Sequence, residues 1–185
     1  RKTFVNFINE IFQPYRKEMM DELTGKLNKT SSHELFTHQK LVRDYINLYT
    51  PYRGLLLYHG LGSGKTASAI NIYNVLFNST PKWNVFIIIP ASLKSDPWLK
   101  NLERWLDKSE KNLRMKNIQF VSYDSPFADR DFLDKVKKVD SSKSTLYFID
   151  EAHNFIRNVY NNISSKQGKR AQVISVSIIG YTNAG

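Results

Sequence analysis

Cysteine is absent from all 185 residues of this chain. That absence excludes disulfide bridges and thiolate metal sites, and it is typical of proteins from reducing compartments. No apolar run approaches the roughly 18 residues that a membrane-spanning helix needs, so we expect no membrane partner. The chain starts at Arg1 rather than at Met and has no signal-peptide pattern, which predicts a trimmed sequence without a leader.

Acidic side chains are also scarce relative to basic ones. The chain has 27 Lys and Arg against 17 Asp and Glu, a formal net charge of +10. A basic balance favours a polyanionic partner such as nucleic acid, but the charges are spread along the chain, and a spread of this kind also fits a solvated surface. Charge alone therefore leaves both interpretations open. The length suits one sizeable domain, and His33 and His38 show no metal-ligand spacing.

The most informative stretch is 55–66, Leu-Leu-Leu-Tyr-His-Gly-Leu-Gly-Ser-Gly-Lys-Thr. Its apolar part predicts a buried parallel strand over 54–58, and the apolar spacing after Thr66 predicts a helix over 65–77. Strand, glycine-rich turn and helix in this order predict a phosphate-binding loop, because glycines let backbone N–H groups approach a polyphosphate. Lys65 would reach the β- and γ-phosphates, and the Thr66 hydroxyl would ligate Mg²⁺. A glycine-rich turn that binds nothing is the alternative.

A second motif follows another apolar run. Leu-Tyr-Phe-Ile at 146–149 ends in Asp-Glu-Ala-His at 150–153. Ligands of open α/β sheets bind at the carboxyl ends of strands, so Asp150 is placed to hold Mg²⁺ and Glu151 to orient or deprotonate an attacking water. Taken alone, such an acidic pair is more often a solvated helix N-terminus, and its place downstream of a Gly-Lys-Thr loop favours the catalytic interpretation.

The remaining pattern predicts an α/β fold. Residues 3–27 are predicted to form an amphipathic helix that packs on the core or on a partner, and 28–32 form a polar joint. Beyond it, helices are predicted at 37–49, 65–77, 96–106, 129–138 and 152–162, alternating with strands at 54–58, 84–89, 117–122 and 145–149. Such alternation predicts a parallel sheet covered by helices on both faces. Trp98 and Trp105 lie seven residues apart on one helical face and are interpreted as core residues, with stacking on nucleic-acid bases as the alternative.

With these motifs the chain resembles the superfamily 2 helicases and translocases, over about residues 35–160. The motif Gly-Lys-Thr at 64–66 resembles motif I and 150–153 resembles motif II. Gln39 resembles the adenine-reading Gln motif, and 86–93 resembles motif Ia. The pattern is similar to the Swi/Snf-like branch, which accommodates His59 at a position usually occupied by glycine. Within that branch it resembles the helicases of large nucleocytoplasmic DNA viruses, such as the poxvirus-type early transcription factor small subunit and nucleoside triphosphate phosphohydrolase I.

The resemblance implies a P-loop NTPase with a RecA-like three-layer domain over 33–185, preceded by an N-terminal helical extension over 1–32. It implies ATP and Mg²⁺ as cofactors. The implied site residues are Gln39, Gly60, Gly62, Ser63, Gly64, Lys65 and Thr66 for the nucleotide, Thr66 and Asp150 for Mg²⁺, and Lys65, Asp150, Glu151 and His153 for catalysis.

The function implied is that of the first motor domain of an ATP-dependent helicase or translocase in viral transcription. A viral protein would be located in the virion, the host cytoplasm or both, and a non-viral one inside the cell. Its partners would be DNA or RNA, viral transcription proteins and a second RecA-like domain, which these 185 residues lack. We therefore expect the isolated piece to bind nucleotide but to hydrolyse it poorly. Two alternatives stay open: a non-hydrolysing, nucleotide-gated binding module or scaffold, and a chromatin-remodelling or restriction-type motor. A strand at 173–179 is expected before Gly-Tyr-Thr at 180–182, which matches motif III poorly.

Overall fold

The structure is a computed structural model that describes residues 2–26, 34–47, 52–60 and 62–161. The predicted joint at 28–32 and the predicted strand at 173–179 lie outside these residues. Two compact units divide the chain, Arg1–Ser79 and Thr80–Gly185. The assignment of 1–32 and 33–185 as extension and domain stays a prediction. Within the described residues, no helix combines the length and apolarity needed to cross a membrane.

Three helices form most of the first unit: α1 (Lys2–Leu23), α2 (Thr37–Tyr45) and α3 (Lys65–Ser79). They confirm the helices predicted at 3–27, 37–49 and 65–77, although α1 and α2 each end four residues early. The buried residues of α3 include Ile70, Tyr73 and Phe77. Burial of large apolar side chains, each stabilising by roughly 1.5–3 kcal/mol, anchors the helix whose N-terminus closes the glycine-rich loop.

Polar contacts fasten α1 to α2. Lys40 Nζ lies 2.8 Å from Glu18 Oε1, and the Tyr15 hydroxyl donates to the Asp44 carboxylate. The hydrogen bond from Lys40 holds the pKa of Glu18 below its ordinary value. The N-terminal helix therefore contacts the helix that carries Gln39 through polar side chains, whereas its apolar residues Val5, Phe7 and Ile11 are 53%, 46% and 37% exposed.

The prediction of a strand at 54–58 is wrong. Residues 52–60 form no strand, and the side chains of Leu56 and Tyr58 are 77% and 96% exposed. A strand is defined by the ladder of hydrogen bonds to its neighbours, and this apolar run has no ladder partner among the described residues. Apolarity alone therefore did not produce the strand.

The second unit is built on a three-stranded parallel sheet of order β2-β1-β3, formed by β1 (Trp83–Ile89), β2 (Ile118–Ser122) and β3 (Ser144–Ile149). In this register Ile88 of β1 pairs with Val121 of β2 and with Ile149 of β3. The central strand β1 is buried along six of its seven residues, which explains its continuous apolar run at 85–89. All three strands confirm predicted ones.

Helices cover both faces of this sheet, as predicted. On one face, Phe86 and Ile88 pack with Phe132 of α6 (Ala128–Lys138) and Phe155 of α7 (Ala152–Asn161). On the other face, the Trp98 ring contacts the Phe148 ring of β3, with centroids 6.0 Å apart. Alternate residues of each strand thus face opposite helical layers.

The segment after β1 departs from the prediction of one helix over 96–106. A short 3₁₀ turn (Ala91–Leu93) leads into a π-helical turn (Lys94–Leu99), and α4 follows at Lys100–Trp105. Asp96 is extended, with φ −135° and ψ 122°. The cause is Pro97, because a residue before proline is driven out of the helical region. The short helix α5 (Lys111–Lys116) was not predicted.

Candidate phosphate loop and acidic turn

The glycine-rich loop has the backbone conformation that its sequence predicts. Gly62 and Gly64 have φ angles of +78° and +77°, in the left-handed region that L-residues avoid. Helix α3 starts directly afterwards at Lys65, and its first turn contains no acidic side chain. The unpaired N–H groups of that turn and the positive end of the helix dipole are therefore free of a competing carboxylate on the same turn.

Lys65 folds back on its own loop. Its Nζ donates to the carbonyl oxygens of His59, at 3.0 Å, and Gly60, at 3.1 Å. These bonds hold the ammonium group of Lys65 inside the turn. Thr66 follows in the first turn of α3, half-buried.

Two residues of α2 hold the loop from the other side. Gln39 Nε2 donates to Ser63 O at 3.1 Å, and its Oε1 accepts from the Phe36 amide at 3.0 Å. His38 Nε2 lies 3.0 Å from the same Ser63 oxygen. Because a carbonyl oxygen only accepts, this contact places a proton on Nε2. The structure thus places Gln39 beside the glycine-rich loop with its amide bonded to backbone atoms, and its adenine-reading role stays a prediction.

His59 takes the place of the usual first glycine of the loop. Burial, followed by the nearby His38 and Lys65, lowers its pKa. The imidazole is therefore neutral near pH 7, so it adds no charge to a site that already contains a lysine. Its Nδ1 is buried without a hydrogen-bond partner among the described residues.

The acidic turn lies at the carboxyl end of β3 in the second unit. The Asp150 amide donates to Ile88 O at 3.0 Å, which continues the ladder beyond the last residue of β3. Asp150 Oδ1 accepts from the Glu151 amide at 2.9 Å, and Oδ2 accepts from Trp98 Nε1 at 2.8 Å. Its carboxylate is thereby held by donors from two separate elements.

Glu151 has an unusual backbone and an accessible side chain. Its φ is +50°, in the left-handed region, which costs an L-residue on the order of 1–2 kcal/mol. Residues held in this way concentrate at functional sites. The side chain is 44% exposed, and Oε2 lies 3.3 Å from His153 Nδ1. The carboxylate is therefore available to a solvent molecule with an imidazole beside it.

Tyr123, which follows β2, was not predicted as part of this site. Its hydroxyl donates to Glu151 O at 3.4 Å, and its ring packs against Phe155 of α7. Burial first, and then the charges of Glu151, Asp124 and Asp150, raise its pKa to about 12. The feature of the sequence that points to Tyr123 is its place in Val-Ser-Tyr-Asp at 121–124, at the carboxyl end of a predicted strand.

The predicted site residues thus form two groups. Gln39, Gly60, Ser63, Gly64 and Lys65 lie together in the first unit, joined by the contacts above. The second unit contains the other group, at the acidic turn: Asp150, Glu151 and His153. Across the described residues, no three His, Asp or Glu side chains cluster as a metal cage.

Comparison with known proteins places these features in a family. A profile described as Type III restriction enzyme, res subunit, matches residues 9–177. A protein of Acanthamoeba polyphaga mimivirus named as an ATP-dependent RNA helicase is 49% identical over 178 residues, which cover 89% of this chain and 22% of that protein. Nucleoside triphosphatase I of Melanoplus sanguinipes entomopoxvirus is 31% identical over 157 residues, 79% of this chain and 23% of its own length. The chain spans about a quarter of these relatives, and the matches confirm the resemblance to viral helicases and nucleoside triphosphatases.

Proposed function

Since the chain belongs to the family of the type III restriction enzyme res subunit, we propose that it is the first motor domain of an ATP-dependent nucleic-acid helicase or translocase. One observation carries the proposal. Two left-handed glycines precede a helix whose first turn has no acidic residue, and a lysine ammonium lies inside the turn. Backbone donors, a helix N-terminus and a lysine together fit a polyphosphate.

Lys65 is proposed to exchange its two carbonyl partners for phosphate oxygens. A charged acceptor forms a stronger hydrogen bond with an ammonium group than a neutral carbonyl does. Gly60, Gly62, Ser63 and Gly64 would then present backbone N–H groups to the same phosphates. Gln39, whose amide already braces Ser63, is proposed to link nucleotide binding to the conformation of the loop.

Mg²⁺ fits the residues present. Asp150 accepts one hydrogen bond on each oxygen, so lone pairs on both remain for a metal or its water. Mg²⁺ is commonly held by one or two carboxylates together with phosphates and water rather than by a protein cage. We propose that Asp150 and the Thr66 hydroxyl hold it. When bound, the ion would neutralise charge on the β- and γ-phosphates.

Glu151 is proposed as the residue that orients and deprotonates the attacking water. Its exposed carboxylate and left-handed backbone support this role. His153, 3.3 Å away, would position that carboxylate. Only the transition state uses the proton transfer, so Glu151 acts on turnover and not on nucleotide binding.

The nucleic-acid and viral parts of the proposal rest on the relatives and on the charge. The mimivirus and entomopoxvirus proteins are named as an RNA helicase and a nucleoside triphosphatase. The net charge of +10 supports a phosphate-rich partner. We propose that the whole protein adds a second RecA-like domain, engages DNA or RNA and viral transcription proteins, and works in the virion or the host cytoplasm.

Lys65→Ala tests the phosphate-loop assignment. Titration calorimetry with a non-hydrolysable ATP analogue and Mg²⁺ should show that this variant loses nucleotide binding while its circular dichroism spectrum is unchanged. The matched control is Lys82→Ala, which removes the same charge from an exposed position outside the loop. Equal affinity in the wild type and Lys65→Ala would refute the assignment.

A further inference from the structure

The sequence predicts Trp98 to be a core residue, and in the structure its side chain also donates a hydrogen bond to Asp150. The side chain is 2% exposed and packs on Phe148. Its single polar atom, the indole Nε1, lies 2.8 Å from Asp150 Oδ2. A buried indole N–H needs an acceptor, and the acceptor here is the carboxylate that the proposed function assigns to Mg²⁺.

The two hydrogen bonds to Asp150 come from different parts of the chain. Glu151 belongs to the turn that follows β3, whereas Trp98 belongs to the π-helical turn after β1, 52 residues away. One donor on each oxygen fixes the rotation of the carboxylate plane, which a single donor would leave free. Each oxygen keeps a lone pair for a further ligand.

Packing alone does not account for this contact. A phenylalanine at the same place would also bury an aromatic ring against Phe148, so the sheet face needs the ring and not its N–H. The turn that carries Trp98 contains an extended residue, Asp96, which interrupts regular helix two positions before the indole. The N–H contribution can therefore be separated by experiment from the contribution of the ring.

We propose that Trp98 is a positioning residue that orients the Asp150 carboxylate for Mg²⁺–nucleotide binding. The inference rests on the proposed function. Partners that hydrogen-bond to metal ligands typically change metal affinity by about 10–100-fold when they are removed. Loss of the indole N–H should therefore weaken the Mg²⁺-dependent part of nucleotide binding and leave the Mg²⁺-independent part intact.

The test compares Trp98→Phe with Trp105→Phe in the full-length protein. Trp105 is half-buried on α4, and its ring lies under the Arg104 guanidinium, so the control removes an indole from the same region without touching Asp150. Affinity for a non-hydrolysable ATP analogue is measured by calorimetry across a Mg²⁺ titration and in EDTA. We expect the Mg²⁺ concentration at half-maximal effect to rise about tenfold in Trp98→Phe only, with unchanged affinity in EDTA.

Tryptophan fluorescence supplies a second readout. The change in emission on adding Mg²⁺ to the nucleotide complex should be present in the wild type and in Trp105→Phe and absent in Trp98→Phe. If Trp98→Phe fails to fold, 3-benzothienylalanine at position 98 decides, because it keeps the shape of indole and lacks the N–H donor. An unchanged Mg²⁺ dependence in the folded variant, or an equal loss of affinity in EDTA, overturns the proposal.

Asp150→Asn distinguishes a failure of the positioning role of Trp98 from a failure of the proposed Mg²⁺ site at Asp150. If it shifts the Mg²⁺ dependence while Trp98→Phe does not, the positioning role is wrong and the proposed function stands. If neither variant shifts it, the assignment of Mg²⁺ to Asp150 is wrong, and the role of Trp98 is overturned with it.

Discussion

The Gln39 amide occupies the space that a side chain on Gly64 would need. A Cβ built on Gly64 would lie 2.2 Å from Gln39 Nε2, well inside van der Waals contact. Glycine is therefore required at position 64 for two reasons: its φ is +77°, and the Gln39 side chain occupies the space of a Cβ. Helix α2, which carries Gln39, and the glycine-rich loop therefore fit together only because residue 64 has no Cβ.

Gly64→Ala should destabilise the protein and abolish nucleotide binding. A left-handed alanine costs about 1–2 kcal/mol before any displacement of Gln39 is counted. At roughly 2–4 °C per kcal/mol for a chain of this size, the melting temperature should fall by several degrees in a thermal unfolding experiment. Gly64→Ala combined with Gln39→Ala should recover part of the loss, because the steric contact is removed and the backbone strain remains.

Gly60→Ala is the matched control for this prediction. A Cβ on Gly60 meets nothing within 4 Å, and its backbone is not in the positive-φ region. Its melting temperature should stay within about a degree of the wild type. A similar loss of stability in both alanine variants would contradict the argument from Gln39.

Glu151→Gln should separate binding from turnover. In the full-length protein we expect ATP hydrolysis to fall by about 10²–10⁴-fold, the usual contribution of general base catalysis, while nucleotide affinity is retained. Asp134→Asn, on an exposed position of α6, is the control with the same loss of charge. Wild-type turnover in Glu151→Gln would move the catalytic role to another residue, and absence of turnover in the wild type would favour the non-hydrolysing module.

The Tyr123 hydroxyl should lose its proton at a higher pH than an ordinary tyrosine. Its pKa is raised to about 12, whereas an ordinary tyrosine titrates near 10. The difference between the tyrosinate absorbance curves of the wild type and Tyr123→Phe should therefore have its midpoint near pH 12. Because the folded-state pKa is the higher one, the stabilisation linked to it is complete below pH 10 and is lost as the pH rises towards 12. A midpoint near 10 would show that the phenol is solvated.

Nucleic-acid binding should depend on salt. The 185 residues alone should bind an oligonucleotide weakly and without sequence preference, and affinity measured by fluorescence anisotropy should fall steeply between about 50 and 200 mM salt. Hydrolysis should stay near background until the proposed second RecA-like domain is added. Robust nucleic-acid-stimulated hydrolysis by these residues alone would refute the two-domain motor, and salt-insensitive binding would refute the phosphate contacts.

Local patterns predicted most of the elements described. Helix α6 was expected at 129–138 and occurs at Ala128–Lys138, and β1 was expected at 84–89 and occurs at Trp83–Ile89. Both elements follow from the periodicity of apolar side chains, which neighbouring residues of the sequence determine. The wrong strand at 54–58 and the broken helix at 96–106 have different causes. A strand needs a partner that the run itself does not specify, whereas the break at Asp96 is a local effect of Pro97 that the apolar periodicity of 96–106 does not show.

The sequence by itself determined the glycine-rich turn with its left-handed Gly62 and the helix start at Lys65, because these features depend on neighbouring residues alone. It also placed Asp150 and Glu151 at the end of a strand. Only the tertiary structure decided that Gln39 braces Ser63 and that Trp98 donates to Asp150. These contacts join residues 24 and 52 positions apart, and such pairs are set by how the layers pack and not by any local preference of the chain.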